Sequence, residues 1–152
     1  MEEGFDLCRK NVLDYLQDAR LIIGEGRLNH ALVSVQFSIE ELGKIRMLRE
    51  ALNKSAQGNV LVKESVFKSH KGKSETAWEF LDVKFRTIFE GDFDETDFSH
   101  RDFLTDTKAS HETRLECAFV GFDGNEWFLG REIDKTLLLE IIQHIKDKLP
   151  EA

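Results

Sequence analysis

The sequence predicts an all-α fold, an antiparallel bundle of four to five helices with a short irregular or hairpin-like aromatic insertion before the last helix. Three observations support this class. Several long stretches place apolar residues three and four positions apart, which is the spacing of a helix with one buried face. The first two stretches are joined by a very short connection. Near the end, Asp123-Gly124-Asn125 separates two short aromatic pieces and is typical of a turn.

The first two predicted helices form a hairpin. The first runs from Phe5 to Ile23, and Gly24-Glu25-Gly26 after it tolerates a left-handed helix end and a tight reversal. The second begins at Leu28 and persists to about Leu52. It carries further apolar residues away from its main stripe, so we expect it to be covered on more than one side and central to the bundle. These residues are Val33, Phe37, Met47 and Leu48.

The middle of the chain is less regular. Residues 53–59 are predicted to be a connection, and the basic piece Val60 to His70 is predicted to be helical. Thr76-Ala77-Trp78-Glu79 has the form of a capping box, which predicts a third long helix near Thr76 to Glu90. A loop rich in acidic residues follows, and Asp106 to Leu115 is predicted to form another short helix.

The last helix is predicted from a cap and an apolar stripe. Asp134 is the expected N-cap, and the helix ends before Pro150. The stripe consists of Leu137, Leu138, Ile141, Ile142 and Ile145. The aromatic residues of the insertion before this helix would serve either as bundle packing or as an interface anchor. They are Phe119, Phe122, Trp127 and Phe128.

Length and composition favour one domain, residues 1–152, with a real core. The N-terminus lacks the features of a signal peptide and no apolar run approaches the roughly 20 residues of a membrane span, so we expect a cytoplasmic protein without a membrane partner. Cys8 and Cys117 are expected to be reduced, packed thiols. The net charge of -8 argues against a protein that coats nucleic acid through a global positive field, although a local basic site is compatible with it.

Ionisable residues interrupt the apolar pattern of the second helix at Glu40-Glu41-Leu42-Gly43-Lys44. On a helix both carboxylates lie near the Lys44 ammonium, since they are four and three positions away. Gly43 lacks a Cβ and would let another helix or a ligand approach beside Lys44, at a helical cost of about 1 kcal/mol. His70-Lys71-Gly72-Lys73 is a second cluster that would complete a site.

Three elements in order resemble the AbiV-type abortive infection family. They are an Ala-rich helix ending in Glu40-Glu41-Leu42-Gly43-Lys44, then Phe67-Lys68-Ser69-His70-Lys71-Gly72-Lys73, and then Arg114-Leu115-Glu116-Cys117-Ala118-Phe119-Val120. The resemblance implies a helical domain of the HEPN type (higher eukaryotes and prokaryotes nucleotide-binding), a role in phage defence, a homodimer, and RNA as a possible substrate. One departure is that no arginine precedes any histidine with four to six residues between them, as one does in many HEPN ribonucleases.

Metal-independent RNA cleavage needs a base, an acid and cations that stabilise charge on the phosphorane. His70 suits the base or the acid, because its unperturbed pKa lies near working pH. Lys44 and Lys73, and also Arg46, would hold the phosphate, while Glu40 or Glu41 would orient the histidine or a lysine. We therefore take Glu41, Lys44, His70 and Lys73 as candidate catalytic residues with Glu40 in support, and expect no cofactor and no metal.

Two other interpretations compete with this one. In the first, Glu40 and Lys44 are only an exposed helical pair worth about 0.3 to 0.5 kcal/mol, and the protein is a noncatalytic helical module that dimerises and binds a phage or host protein. In the second, the bundle holds a di-metal carboxylate site. That site uses Glu-x-x-His motifs on paired helices, and this chain has no such motif. His30, His100, His111 and His144 are expected to be structural or surface residues.

Overall fold

The computed structural model describes residues 2–54, 68–89, 118, 120–122, 125–129 and 133–152. In this part of the chain the long elements are helices, which confirms the all-α class. They are α1 (Glu2–Gly24), α2 (Leu28–Lys54), α3 (His70–Phe89) and α4 (Lys135–Lys148), and a short 3-10 helix, Leu149–Glu151, follows α4. None of the described helices is both long enough and apolar enough to cross a bilayer.

The reversal between α1 and α2 is the predicted tight turn. Gly26 has a φ of 74°, a left-handed conformation that glycine adopts without steric cost. The Gly26 N–H donates to the Ile23 carbonyl and the Arg27 N–H to the Ile22 carbonyl, so the last carbonyls of α1 are satisfied. The two helices then run antiparallel, and the rings of Tyr15 and Phe37 lie 5.4 Å apart between centroids across the hairpin.

Helix α2 is central, as predicted. It packs along α1 on one side and α3 on another, and it also contacts α4. Apolar side chains from all four helices form one buried cluster. The fully buried large members are Val12 and Leu16 of α1, Leu32, Val35, Ile39, Leu42 and Ile45 of α2, Leu81 of α3, and Leu138, Ile141, Ile142 and Ile145 of α4. Phe37 differs from the rest of α2's apolar residues because it stays 36% exposed at the edge of the hairpin.

The start of α3 corrects the prediction from the capping box. The helix begins at His70, more than one turn before Thr76, and the Ser69 hydroxyl accepts the Gly72 N–H at 3.0 Å, as an N-cap does. The Thr76 hydroxyl instead donates to the Gly72 carbonyl inside the helix. A threonine makes this bond to the carbonyl four residues earlier when it lies inside a helix. The sequence at Thr76 therefore has the pattern of a capping box, but Thr76 does not cap the helix.

The last helix begins where its sequence indicates. The Asp134 carboxylate accepts the N–H groups of Thr136 and Leu137 at 2.7 and 3.0 Å, which confirms the predicted N-cap of α4. Two short strands precede it, β1 (Val120–Phe122) and β2 (Trp127–Leu129), and they pair antiparallel with Gly121 opposite Phe128. The packing of the aromatic insertion stays a prediction. The helices predicted from Val60 to His70 and from Asp106 to Leu115 lie outside the described residues, apart from the few residues next to His70.

Candidate functional site

The site is built where α2 and α3 cross in close contact. An ideal Cβ placed on Gly43 would lie 1.9 Å from the carbonyl oxygen of Lys73 and 2.7 Å from its carbonyl carbon. Only glycine allows two backbones to come this close. The group that approaches Gly43 is therefore α3 of the same chain. The sequence alone was compatible with either another helix or a ligand at this position.

The close crossing brings Glu40 of α2 against two cationic or ionisable groups of α3. The His70 Nδ1 lies 2.6 Å and the Lys73 Nζ 3.0 Å from the same oxygen, Glu40 Oε2. The side chains of Glu40 and Lys73 are only 8% and 6% exposed, whereas the His70 side chain is 49% exposed. We call these three residues the Glu40 cluster. It has a buried ion pair at its base and an imidazole at its solvent edge.

The hydrogen bond to Glu40 fixes the tautomer of the neutral His70 ring. A carboxylate oxygen accepts, so His70 donates its Nδ1–H, and Nε2 is then the ring nitrogen that carries the lone pair. The ion pair between the Lys73 ammonium and the same Glu40 oxygen holds that oxygen in place. An imidazole oriented in this way is suited to remove a proton from a hydroxyl group.

Glu41 lies in a different environment, toward α1. Its Oε1 accepts from the Lys44 ammonium at 2.5 Å, and the side chains of Glu41 and Lys44 are 11% and 25% exposed. The thiol of Cys8 on α1 also hydrogen-bonds to Glu41. Burial and then the Glu41 charge raise the pKa of Cys8, while the Lys44 charge lowers it less. We call Glu41, Lys44 and Cys8 the Glu41 cluster.

The structure thus divides the predicted residues between two neighbouring faces of α2. Glu40, His70 and Lys73 meet at one oxygen atom, and Glu41 pairs with Lys44 one turn along its own helix. Arg46, a further phosphate candidate, has its guanidinium carbon 4.5 Å from the centre of the Phe80 ring, on the side of α3. Among the residues that the structure describes, no group of three or more His, Cys, Asp and Glu side chains is arranged to hold a metal ion.

Sequence reasoning missed two residues that shape the site. Ser69 caps α3 and so places His70 in its first turn, and the serine three positions before Gly72 was a usable signal. Cys8 gave no signal, because its spacing in α1 is that of an ordinary apolar residue. Only the antiparallel packing of α1 on α2 brings the thiol to Glu41.

The all-α bundle formed by the described residues is consistent with a domain of the HEPN type. A family model described as HEPN_AbiV, AbiV, matches residues 1–149, nearly the whole chain, and the protein therefore belongs to the AbiV family. By family it is an abortive infection protein of phage defence. No curated protein and no solved structure shows significant similarity to the chain.

Proposed function

We propose that this protein is an effector of abortive infection that cleaves RNA without a metal ion, with His70 as the base. The observation that carries the proposal is the 2.6 Å contact between His70 Nδ1 and the buried Glu40 carboxylate. A buried carboxylate that holds a half-exposed imidazole in one tautomer is the arrangement of a general base. We further propose that the chain acts in the cytoplasm as one domain, residues 1–152.

The reaction proposed is a transesterification within the RNA chain. His70 Nε2 takes the proton of a ribose 2′-hydroxyl, and the 2′-oxygen forms a bond to the adjacent phosphorus. The bond from phosphorus to the 5′-oxygen breaks, and that oxygen receives a proton. The products are a 2′,3′-cyclic phosphate and a 5′-hydroxyl end, so no water and no redox partner is consumed.

The cations have separate roles in this proposal. Lys44 is 25% exposed, and we assign its ammonium group to balance negative charge on the phosphorane. Glu41 fixes its position through the 2.5 Å hydrogen bond. Lys73 is 6% exposed and lies against Glu40, so it balances the charge of that carboxylate and positions it for His70.

A homodimer would supply the remaining proton donor. In-line attack requires an acid on the side opposite the base. Among the described residues, His70 is the histidine of the Glu40 cluster, while His30 lies at the exposed start of α2 and His144 is buried against α3. A second copy of the chain that brings its own His70 to the leaving oxygen would complete the reaction, and we propose this homodimer as the active form.

The test is to incubate the purified protein with labelled total RNA in the presence of a chelator. His70→Ala and Lys44→Ala are the test variants, and His30→Ala and Lys10→Ala are matched controls at exposed positions. We expect cleavage by the wild type and both controls, with ends that carry a 2′,3′-cyclic phosphate, and loss of at least about 100-fold in rate in His70→Ala. Cleavage that persists in His70→Ala would contradict the assignment of the base.

A noncatalytic interaction module is the second candidate function. It is favoured by large apolar side chains that stay exposed on α1, notably Leu7 at 57% and Leu21 at 64%. If no form of the protein cleaves RNA and light scattering still shows a dimer, this function replaces the first. The partner would then be a phage or host protein.

A further inference from the structure

A groove lies between the N-terminal part of α1 and the C-terminal part of α2, and it lies outside both charged clusters. Its volume is about 520 Å³. Its lining residues are Phe5, Asp6 and Arg9 of α1 and Arg49, Leu52 and Asn53 of α2. Two arginines against one aspartate give the groove a positive balance in a chain whose net charge is -8.

Arg9 has hydrogen-bonding capacity that the described residues do not use. A guanidinium carries five N–H donors. Over the described residues, Arg9 makes no hydrogen bond and no ion pair, and its Nε is buried without an acceptor. Because a buried donor without an acceptor is destabilising, an arginine in this state at the wall of a groove is suited to an incoming anion.

Arg49 lines the same groove from α2 and is held in position by the 3-10 helix that follows α4. Its NH1 donates to the backbone carbonyl of Glu151 at 2.7 Å, and its other N–H donors remain for a ligand. The two guanidiniums thus project from two different helices into one space. Arginine pairs of this kind match the geometry of phosphate oxygens, which accept two parallel hydrogen bonds from each guanidinium.

The groove and the Glu41 cluster are formed by the same two helices, on different sides of them. Arg9 follows Cys8 in sequence, and Cys8 hydrogen-bonds to Glu41. On α2, Arg49 is five residues beyond Lys44, which is about 7.5 Å along the helix axis and about 140° around it. An RNA strand that reaches both Lys44 and the groove therefore has to pass around α2.

We propose that this groove binds a phosphodiester group of the RNA strand at a distance from the phosphate that reacts. This inference rests on the proposed function, because it extends the RNA path beyond the reacting phosphate. Arg9 and Arg49 contact the phosphate oxygens, and Phe5 and Leu52 give an apolar surface for the base or the ribose. Asp6 offsets one of the two charges and keeps the site weaker than an unopposed arginine pair.

The test measures binding of a fluorescent 2′-O-methyl oligonucleotide by anisotropy at several salt concentrations. The methyl group blocks the attacking oxygen, so binding is observed without cleavage. The variants are Arg9→Gln, Arg49→Gln and the double variant, and Arg27→Gln in the exposed turn is the control with the same change in charge. Arg9→Lys keeps the charge and removes the two-pronged hydrogen bonding.

We expect the double variant to weaken binding about tenfold or more at low salt and to reduce the salt slope by about 0.7, which is the contribution of one phosphate contact on a single strand. Arg9→Lys should retain the slope and lose part of the affinity. Circular dichroism shows whether each variant is folded, and Arg49→Gln and Arg9→Lys test the groove independently if the double variant is not.

Three results would overturn the groove assignment. The first is binding by the double variant equal to that of the wild type, and the second is an equal loss in Arg27→Gln. The third is binding of inorganic phosphate at the groove with no binding of the oligonucleotide. None of them depends on cleavage, so a failure of the groove is distinguished from a failure of His70 as a base, which the cleavage assay reports separately.

Discussion

Glu40 and Glu41 are adjacent in sequence on one helix, yet they have different partners and different surroundings. Glu40 lies against α3, and its partners His70 and Lys73 are about thirty residues away in sequence. Glu41 lies toward α1, and its cationic partner Lys44 is three positions along the same helix. The Glu41 pair needs only a helix to form, whereas the Glu40 cluster exists only after α3 has packed on α2.

This difference separates a local pair from a tertiary one. A pair three positions apart on a helix contributes a few tenths of a kcal/mol and does not report on the fold. A carboxylate and an ammonium that are both almost fully buried depend on each other, because either one alone would be an uncompensated charge in the interior. A substitution of Glu40 should therefore affect both the proposed site and the stability of the fold, whereas a substitution of Glu41 should affect stability much less.

The largest expected effect is on stability, in Glu40→Gln. Removing one partner of a buried pair leaves the Lys73 charge uncompensated, so we expect a loss of about 3 kcal/mol in the free energy of unfolding. Glu41→Gln is the matched control and should lose about 1 kcal/mol or less, since Lys44 retains contact with water. Urea denaturation measures both values.

A second variant distinguishes the buried charge from a general packing defect. In the Glu40→Gln background, Lys73→Met removes the uncompensated ammonium and should recover a large part of the lost stability. Equal losses in Glu40→Gln and Glu41→Gln, with no recovery in the double variant, would show that the two carboxylates are equivalent.

The next effect concerns the close crossing of α2 and α3. Gly43→Ala places a Cβ 1.9 Å from the Lys73 carbonyl oxygen, which belongs to the backbone and moves only if α3 shifts. We expect a net loss of about 2 kcal/mol, even though alanine favours a helix by about 1 kcal/mol. Thermal or urea unfolding measures it.

Gly4→Ala is the control for this substitution, because an added Cβ on Gly4 has no atom within 4 Å. That variant should gain about 0.5 to 1 kcal/mol. A gain of the same size in Gly43→Ala would contradict the close contact between the two helices.

The smallest effect is the titration of Cys8, which reports on the Glu41 side. Burial and the Glu41 charge raise the pKa of this thiol above its ordinary value of 9.0. Its contribution to stability is therefore present below about pH 9 and is lost as pH rises through the higher pKa of the folded protein. Alkylation by iodoacetamide across pH, in a Cys117→Ser background, should show a late onset of reactivity.

Variants of the two carboxylates should separate in the same measurement. Glu41→Gln removes both the charge and the hydrogen bond that raise the pKa of Cys8, so alkylation should begin at lower pH. Lys44→Ala should delay it further, because the Lys44 charge lowers this pKa. A shift in Glu40→Gln as large as that in Glu41→Gln would place both carboxylates in one environment.

The sequence predicted those parts of the fold that depend on local chemistry. The spacing of apolar residues identified α1, α2 and α4, the two glycines identified the turn, and Asp134 identified the cap. The predicted start of α3 was wrong because Ser69 and Thr76 each begin a sequence pattern that resembles an N-cap. Which pattern begins the helix depends on Lys73 packing against Gly43, which is a tertiary contact.

The residues of the site could be predicted from the sequence, but which carboxylate contacts which partner could not. Helical spacing placed Glu40 and Glu41 equally near Lys44, and nothing in the sequence says which of them faces α3. The crossing angle and the depth of the Gly43 contact decide that Glu40 meets His70 and Lys73. The approach of Cys8 to Glu41 depends likewise on the register of α1 against α2.

The tautomers of the buried and half-exposed histidines test the central claim most directly. His70 donates Nδ1–H to Glu40, and His144 donates Nε2–H to the Leu81 carbonyl at 3.1 Å. We therefore predict opposite tautomers in ¹⁵N NMR spectra recorded where both rings are neutral, with His70→Gln and His144→Gln used for assignment. An Nε2–H tautomer at His70, the same as at His144, would contradict the orientation of His70 as a base by Glu40.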